Sequence, residues 1–169
     1  MKTLVTLDTN VLRHSEVSKI EQALQGLPIE LTHVSVTARE FEGTDFTLLG
    51  RRVVETGVWG ESRWDQSLYS DAAIATLFEQ ILGIMSEGAF PRNRDNLSAG
   101  HKRQMRDAMI LAAHTRSGGN IFVTNETKAF GAKDSRLRKQ LEQRCVTQIM
   151  NLNDFYAHCQ LLRQNSEEP

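Results

Sequence analysis

Short apolar runs alternate along the chain with longer segments whose apolar residues recur at helical spacing. The first run, 1–8, carries Leu4, Val5 and Leu7 and ends at Asp8. Similar runs of strand length occupy 29–36, 120–124 and 145–149. Helical periodicity or capping signals predict helices at 15–25, 66–87, 101–116, 133–144 and 152–163. The pattern therefore predicts strands that are separated by helices.

This alternation predicts an α/β fold. Strands joined by helices of this length pair in parallel, and the joining helices cover both faces of the sheet. We expect one three-layer domain over 1–163 and a disordered tail at 164–169. Within 44–100, outside the helix at 66–87, the pattern is weak and fits either a helix or a short edge strand around Val53 and Val54. We expect 44–100 to be a largely helical insertion.

Acidic residues follow three of the predicted strands. Asp8 ends the first strand, Glu40 follows the second, and Glu126 follows the strand at 120–124. The carboxyl ends of parallel strands meet at one edge of the sheet, where α/β folds place their binding sites. Asp107 stands in an otherwise apolar stretch of the helix that precedes the third of these strands. We therefore expect the four carboxylates to meet at one rim.

Four carboxylates at one rim need a compensating positive charge, because an unpaired buried charge is costly. A hard divalent cation bound through oxygen provides that charge, so the pattern favours Mg²⁺ or Mn²⁺. Zinc is disfavoured because no His or Cys lies near these positions in sequence. A metal held in this way activates water for attack on a phosphodiester. For Asp8 alone, helix capping is an equally good interpretation.

Several common enzyme classes are excluded because the chain lacks their sequence motifs. The chain has no glycine-rich phosphate loop, no GxSxG and no HExxH, which removes simple NTPase, α/β-hydrolase and zinc-protease interpretations. A phosphatase of the haloacid-dehalogenase kind also uses an Asp at a strand end. That family needs a second Asp two residues later, where this chain has Asn10.

Composition sets the class of protein rather than its partner. With 169 residues, of which 40% are hydrophobic, the chain has enough apolar material for one ordinary core. Its formal net charge of -1 gives no overall attraction to nucleic acid. The two cysteines, Cys145 and Cys159, form no disulfide or zinc pattern. Without a signal segment or an apolar run of membrane-spanning length, we expect a cytoplasmic protein that does not bind membranes.

Basic residues are concentrated in the half of the chain that holds Asp107 and Glu126. They fit a solvated helix face or contacts with the phosphate backbone of RNA about equally well, because such contacts need no regular spacing. The candidates for RNA binding are Arg103, Arg106, Lys128, Lys133, Arg136 and Lys139.

Four stretches resemble, in order, the four acidic motifs of PIN-domain ribonucleases. They are Leu7-Asp8-Thr9-Asn10-Val11, Thr37-Ala38-Arg39-Glu40-Phe41-Glu42-Gly43, Arg106-Asp107-Ala108-Met109-Ile110-Leu111-Ala112-Ala113 and Phe122-Val123-Thr124-Asn125-Glu126. The resemblance implies a Rossmann-like sheet of order 3-2-1-4-5 and a site that binds Mg²⁺ or Mn²⁺. It also implies cleavage of single-stranded RNA, as in VapC-type toxins. If the chain is such a toxin, an antitoxin protein is its expected partner. Formation of a homodimer stays open.

The resemblance implies roles for individual residues. Asp8, Glu40, Asp107 and Glu126 become the catalytic and metal-binding set, Asn10 orients Asp8, and the Thr124 hydroxyl bonds a catalytic carboxylate. Glu126 stands where the family usually has Asp, and its longer side chain suits a ligand that acts through water. The alternative function is a catalytically inactive PIN-like module that binds RNA or another protein.

Overall fold

Five parallel strands form the centre of the computed structural model, which describes residues 2–11, 14–34, 52–54 and 72–167. Across the sheet their order is β3-β2-β1-β4-β5. The predicted α/β class and the parallel sheet are confirmed. The strands are β1 (Thr3–Leu7), β2 (Ile29–Val34), β3 (Arg52–Val54), β4 (Ile121–Val123) and β5 (Gln148–Met150).

Six helices lie within the described ranges, five of them between strands and the sixth after the last strand. They are α1 (His14–Leu24), α2 (Ala72–Met85), α3 (Ala99–Arg116), α4 (Thr127–Phe130), α5 (Arg136–Cys145) and α6 (Leu152–Glu167), and a 3-10 turn covers Thr9–Val11. None of the described helices is both long and apolar enough to cross a lipid bilayer.

Two apolar cores lie on opposite faces of the sheet. On one face, Phe122 of β4 packs with residues of α2, α3 and α5. On the other face, Val5 and Leu7 of β1 pack with Ile20 of α1 and Phe155 of α6. Side chains alternate between the faces along a strand, so both the apolar character of β1 and its buried Thr6 follow from a central position in the sheet.

The pairing of β1 with β4 places two polar segments side by side. Leu7 is in register with Val123, and the Asp8 N–H donates to the Val123 carbonyl at 2.9 Å. The next residue of β4, Thr124, donates its N–H to the Met150 carbonyl at 2.9 Å. Asp8 and Thr124 therefore leave adjacent strands at the same edge of the sheet.

Several element boundaries differ from the sequence-based prediction, two of them in the C-terminal part of the chain. The strand predicted at 145–149 is wrong in position, because α5 continues through Cys145 and β5 begins at Gln148. Val146 separates them in the left-handed conformation, with φ 50°, and its N–H bonds the Glu142 carbonyl. Helix α6 extends to Glu167, beyond the end predicted for the last helix at 163.

Part of the prediction falls on residues that the structure does not describe. Glu40 lies outside the described ranges, as do 44–51 and 55–71 of the predicted insertion at 44–100. Within that insertion the described elements are β3, α2 and the start of α3. Val53 and Val54 belong to β3, so the open choice at these two positions is resolved in favour of a strand.

Candidate functional site

The carboxylate of Asp8 is held at the edge of the sheet by three neighbouring residues. Only 5% of Asp8 is exposed. Its Oδ1 accepts from the Thr9 N–H at 2.8 Å and from the Thr9 hydroxyl at 3.3 Å. Its Oδ2 accepts from Asn10 Nδ2 and from the Thr124 hydroxyl, both at 2.7 Å. All four contacts are donors to the carboxylate, so its orientation is fixed from both sides.

The Asn10 side chain is orientated by a backbone group just after the neighbouring strand β4. The Asn125 N–H donates to Asn10 Oδ1 at 2.9 Å, so the amide nitrogen of Asn10 must face the other way. That nitrogen donates to Asp8, and to Thr124 Oγ1 at 3.0 Å. The roles that the resemblance implies for Asn10 and Thr124 therefore correspond to hydrogen bonds in the structure.

Asn125 also ties this segment to the last helix. Its Oδ1 accepts from the Leu152 N–H, at the start of α6, at 3.2 Å. The first N–H groups of a helix have no partner within the helix, so a side-chain acceptor stabilises that end. No sequence pattern indicates this role for Asn125, because its partners are the backbone of α6 and the side chain of Asn10, both remote in sequence.

A cleft of about 210 Å³ opens beside Asp8. The described residues that line it are Asp8, Thr9, Asn10, Arg103, Arg106, Asp107, Ile110 and Glu126. Four of them lie on α3, where spacings of three and four residues place side chains on one face. The structure thus brings together three of the four predicted carboxylates, with Glu40 outside the described residues. Asp107 is half-buried and lies where α3 passes from a segment with the exposed Arg103 and Arg106 into a wholly buried stretch, 108–114.

Glu126 has a second role that the sequence did not indicate. It is the N-cap of the short helix α4, and its Oε1 accepts from the Lys128 N–H at 2.8 Å. Its own N–H donates to Thr124 Oγ1 at 3.0 Å. Glu126 therefore lines the cleft while one carboxylate oxygen stabilises a helix end.

The donor chemistry of the cleft suits a hard divalent cation, because Asp8, Asp107 and Glu126 offer only oxygen. Within residues 2–11, 14–34, 52–54 and 72–167, however, no three His, Cys, Asp or Glu side chains are grouped closely enough to hold a metal ion. The three carboxylates share the cleft without converging on one point. The ligand set implied by the resemblance also contains Glu40, which lies outside those ranges.

The predicted RNA-binding residues separate into two groups. Arg103 and Arg106 line the cleft from α3. Lys133 instead pairs with Asp154 at the start of α6, with 3.1 Å between Nζ and Oδ1. The other three candidates are exposed and are not among the described residues that line the cleft: Lys128, Arg136 and Lys139.

Another arginine of the basic helix is structural. Arg138 is only 4% exposed, and its Nη2 donates to the Gly131 carbonyl at 2.6 Å. It thereby ties α5 to the residue that ends α4. An arginine in a strongly basic segment looks solvated in the sequence, and only the packing of α5 identifies this one as buried.

A search with protein-family models and a search of curated proteins find no match to this chain. The function is therefore inferred from the motifs and from the geometry of the cleft.

Proposed function

We propose that the cleft is the active site of a metal-dependent endoribonuclease that cleaves single-stranded RNA, of the PIN-like kind that its motifs resemble. The observation that carries this proposal is that Asp8, Asp107 and Glu126 line one cleft together with two arginines. The cleft lies at the carboxyl edge of a parallel sheet of order β3-β2-β1-β4-β5, where α/β folds bind their ligands.

Asp8 and Asp107 are the residues that we assign to the metal ion. Asp8 is orientated by Thr9, Asn10 and Thr124, so it needs little rearrangement to act as a ligand. Glu126 is bonded to the Lys128 N–H, which suits contact with the ion through water. Glu40 completes the set by resemblance. A bound Mg²⁺ or Mn²⁺ supplies an activated water and neutralises charge that develops on the phosphate.

Arg103 and Arg106 are the residues that we assign to the RNA backbone. A guanidinium group offers several fixed N–H donors that match the oxygens of a phosphate. Both arginines line the cleft beside the carboxylates, so a phosphate held by them would lie next to the reacting group. Specificity for single strands is an expectation of the resemblance, and contact with the backbone alone provides no preference for sequence.

The direct test is cleavage of a labelled single-stranded RNA by the purified chain, with Mn²⁺ at about 1 mM or with excess EDTA. We expect cleavage only with metal. Asp8→Asn and Asp107→Asn should each lower the rate by roughly 100-fold or more, because even the partners of metal ligands contribute about 10- to 100-fold.

Asp95→Asn is the matched control, because Asp95 is an exposed acid that is not among the described residues lining the cleft. It should cleave at the parental rate. RNA binding without cleavage at any Mn²⁺ concentration would overturn the proposal in favour of an inactive RNA-binding module. Cleavage that survives in the folded Asp8→Asn protein would place the active site elsewhere.

A further inference from the structure

A buried histidine links α3 to the sheet beneath the cleft. His114 is 0% exposed. Its Nδ1 lies 2.8 Å from the hydroxyl of Thr6 on β1, and its Nε2 lies 2.8 Å from the hydroxyl of Thr147, just before β5. Thr6 Oγ1 is in turn 2.7 Å from Thr32 Oγ1 on β2. The imidazole is therefore hydrogen-bonded on both sides.

The partners of the two threonines fix the tautomer of His114. The Thr147 hydroxyl donates to the Asn120 carbonyl at 2.9 Å, so its oxygen must accept from Nε2–H. In a neutral imidazole Nδ1 is then an acceptor, and Thr6 donates to it. The Thr32 hydroxyl lies 3.3 Å from the Val5 carbonyl and 2.7 Å from Thr6 Oγ1, and it donates to Thr6 at the shorter distance. Burial lowers the pKa of His114 to about 4, so the ring is neutral at pH 7.

Thr6 and His114, which this hydrogen bond joins, each lie on the same side of the sheet or helix as one of the two acids of the cleft. Thr6 lies on β1 and Asp8 follows its end, so the two are two residues apart and lie on the same side of the sheet. His114 and Asp107 are seven residues apart on α3, which is about two helical turns and returns to the same face. Because α3 leads into β4, which is parallel to β1, the helix runs opposite to β1. Asp8 and Asp107 both line the cleft.

Apolar packing alone specifies the position of α3 weakly. Residues 108–113 of this helix are all buried and all apolar. Apolar contacts are not directional, so this packing does little to determine the rotation or shift of the helix. A hydrogen bond is directional, and a buried donor or acceptor without a partner is costly. A rotated or shifted α3 would leave both His114 and Thr6 without this contact. A side chain at Gly119 would overlap the imidazole ring, so the glycine is needed beside it.

We propose that His114 is a positioning residue, whose bond to Thr6 sets the register of α3 on β1 so that Asp107 meets Asp8 across the cleft. The consequence for metal binding and cleavage rests on the proposed function. The register itself does not, since it concerns only the placement of α3 on the sheet.

The test compares two substitutions that each remove one hydroxyl from the same imidazole. Thr6→Val breaks the contact with β1, whereas Thr147→Val breaks the contact on the other side. Both threonines are buried, so we expect similar falls in the urea midpoint. Only Thr6→Val should move the amide chemical shifts of Arg103, Arg106 and Asp107 in NMR spectra. Thr6→Ser keeps the hydroxyl and should restore them.

Thr32→Val is a further control, because it removes the Thr6–Thr32 bond and leaves Thr6 bonded to His114. Mn²⁺ affinity measured by calorimetry should fall by roughly 10-fold in Thr6→Val, at the lower end of the effect of residues that support metal ligands, and stay near the parental value in Thr147→Val and Thr32→Val. The Mn²⁺ concentration for half-maximal cleavage should shift in parallel.

Equal chemical-shift changes at Arg103, Arg106 and Asp107 in Thr6→Val and Thr147→Val would overturn the proposal and leave His114 as an ordinary core residue. A parent chain that binds no Mn²⁺ and cleaves no RNA would instead overturn the proposed function. The NMR comparison would still decide whether His114 sets the register of α3.

Discussion

The hydroxyl of Thr124 donates a 2.7 Å hydrogen bond to Oδ2 of Asp8 across 116 residues of sequence. The same oxygen of Thr124 accepts from Asn10 Nδ2 and from the Glu126 N–H, both at 3.0 Å. A hydroxyl has one proton and two lone pairs, so Thr124 uses its full capacity here. The Asp8 carboxylate is therefore part of a polar network in which Thr124 is both a donor and an acceptor.

This hydrogen-bond network determines how Asp8→Asn changes the stability of the metal-free protein. Repulsion among the crowded carboxylates alone would make the variant at least as stable as the parent. An Asn amide, however, must turn its NH₂ towards either the Thr9 N–H or the Asn10 NH₂, so two donors face each other. We expect a loss of about 1–3 kcal/mol.

The measurement is a thermal melt at neutral pH with chelator. The loss corresponds to a fall in midpoint of roughly 2–12 °C for a chain of this size. The Asp95→Asn variant should have the same midpoint as the parent. An Asp8→Asn midpoint at or above the parental value would show that charge repulsion outweighs the hydrogen bonds.

His114 makes stability depend on pH. Its pKa is about 4 in the folded chain and close to 6.5 when unfolded, so the unfolded chain binds the proton more readily. The stabilisation from a neutral His114 is therefore complete above the unfolded pKa and is lost as the pH falls from 6.5 towards 4. Between pH 7.5 and pH 5 this residue alone should remove about 2 kcal/mol.

Urea unfolding of the parent and of His114→Gln at both pH values isolates this contribution. Glutamine does not titrate, so the variant should lose less stability on acidification than the parent, by about 2 kcal/mol. Equal losses in the two proteins would mean that His114 does not titrate differently on unfolding.

Val146 is a position where a substitution should raise the stability of the chain. It is a β-branched residue with φ 50° after α5, and it is 87% exposed. Its conformation is costly for any residue with a Cβ, and the exposed side chain gains little from packing. Val146→Gly should stabilise the chain by about 1 kcal/mol, because glycine adopts this conformation without strain.

Chemical denaturation measures this gain, and Val146→Ala is the control. Alanine removes the branched side chain and keeps the Cβ, so it should gain less than glycine. An equal gain for both would locate the cost in the exposed apolar side chain instead of the backbone.

The two arginines of the cleft should dominate RNA affinity. Replacing Arg103 and Arg106 by Gln should flatten the dependence of binding on salt by about 0.7 units of slope for each phosphate of a single strand that the variant no longer neutralises. Lys133→Gln should change it less, because Lys133 already pairs with Asp154. The measurement is fluorescence anisotropy with labelled RNA at several salt concentrations and with EDTA present. A larger effect for Lys133 would assign the RNA path to the α5 side.

The central strands and their polar ends were predictable because the signals are local. A buried strand that ends at Asp8 or Thr124 is visible in the order of residues alone. The boundary at Val146 was not predictable, since the run from Cys145 to Ile149 is rich in strand-forming residues and nothing local shows that its second residue turns left-handed. Packing extends α5 through Cys145, so β5 begins at Gln148, three residues later than predicted.

The supporting contacts of the site were beyond sequence reasoning for a different reason. His114 lies 108 residues from Thr6 and 33 from Thr147, so no periodic pattern connects them. In the sequence it is one polar residue at the end of an amphipathic helix. Glu126 looked only like a metal ligand, because its capping contact depends on where α4 begins. Partners that are distant in sequence are determined by the fold as a whole.

The position of β1 at the middle of the sheet also has a consequence for synthesis on the ribosome. The strand precedes the other described strands along the chain, yet one of its two neighbours, β4, is made more than a hundred residues later. At about 5–20 residues per second, the interval between Asp8 and Thr124 is roughly 6–23 s. During that time the nascent chain carries a strand with one open edge and an acidic end without its threonine partner. The contact between Asp8 and Thr124 can therefore form only after Thr124 has been made.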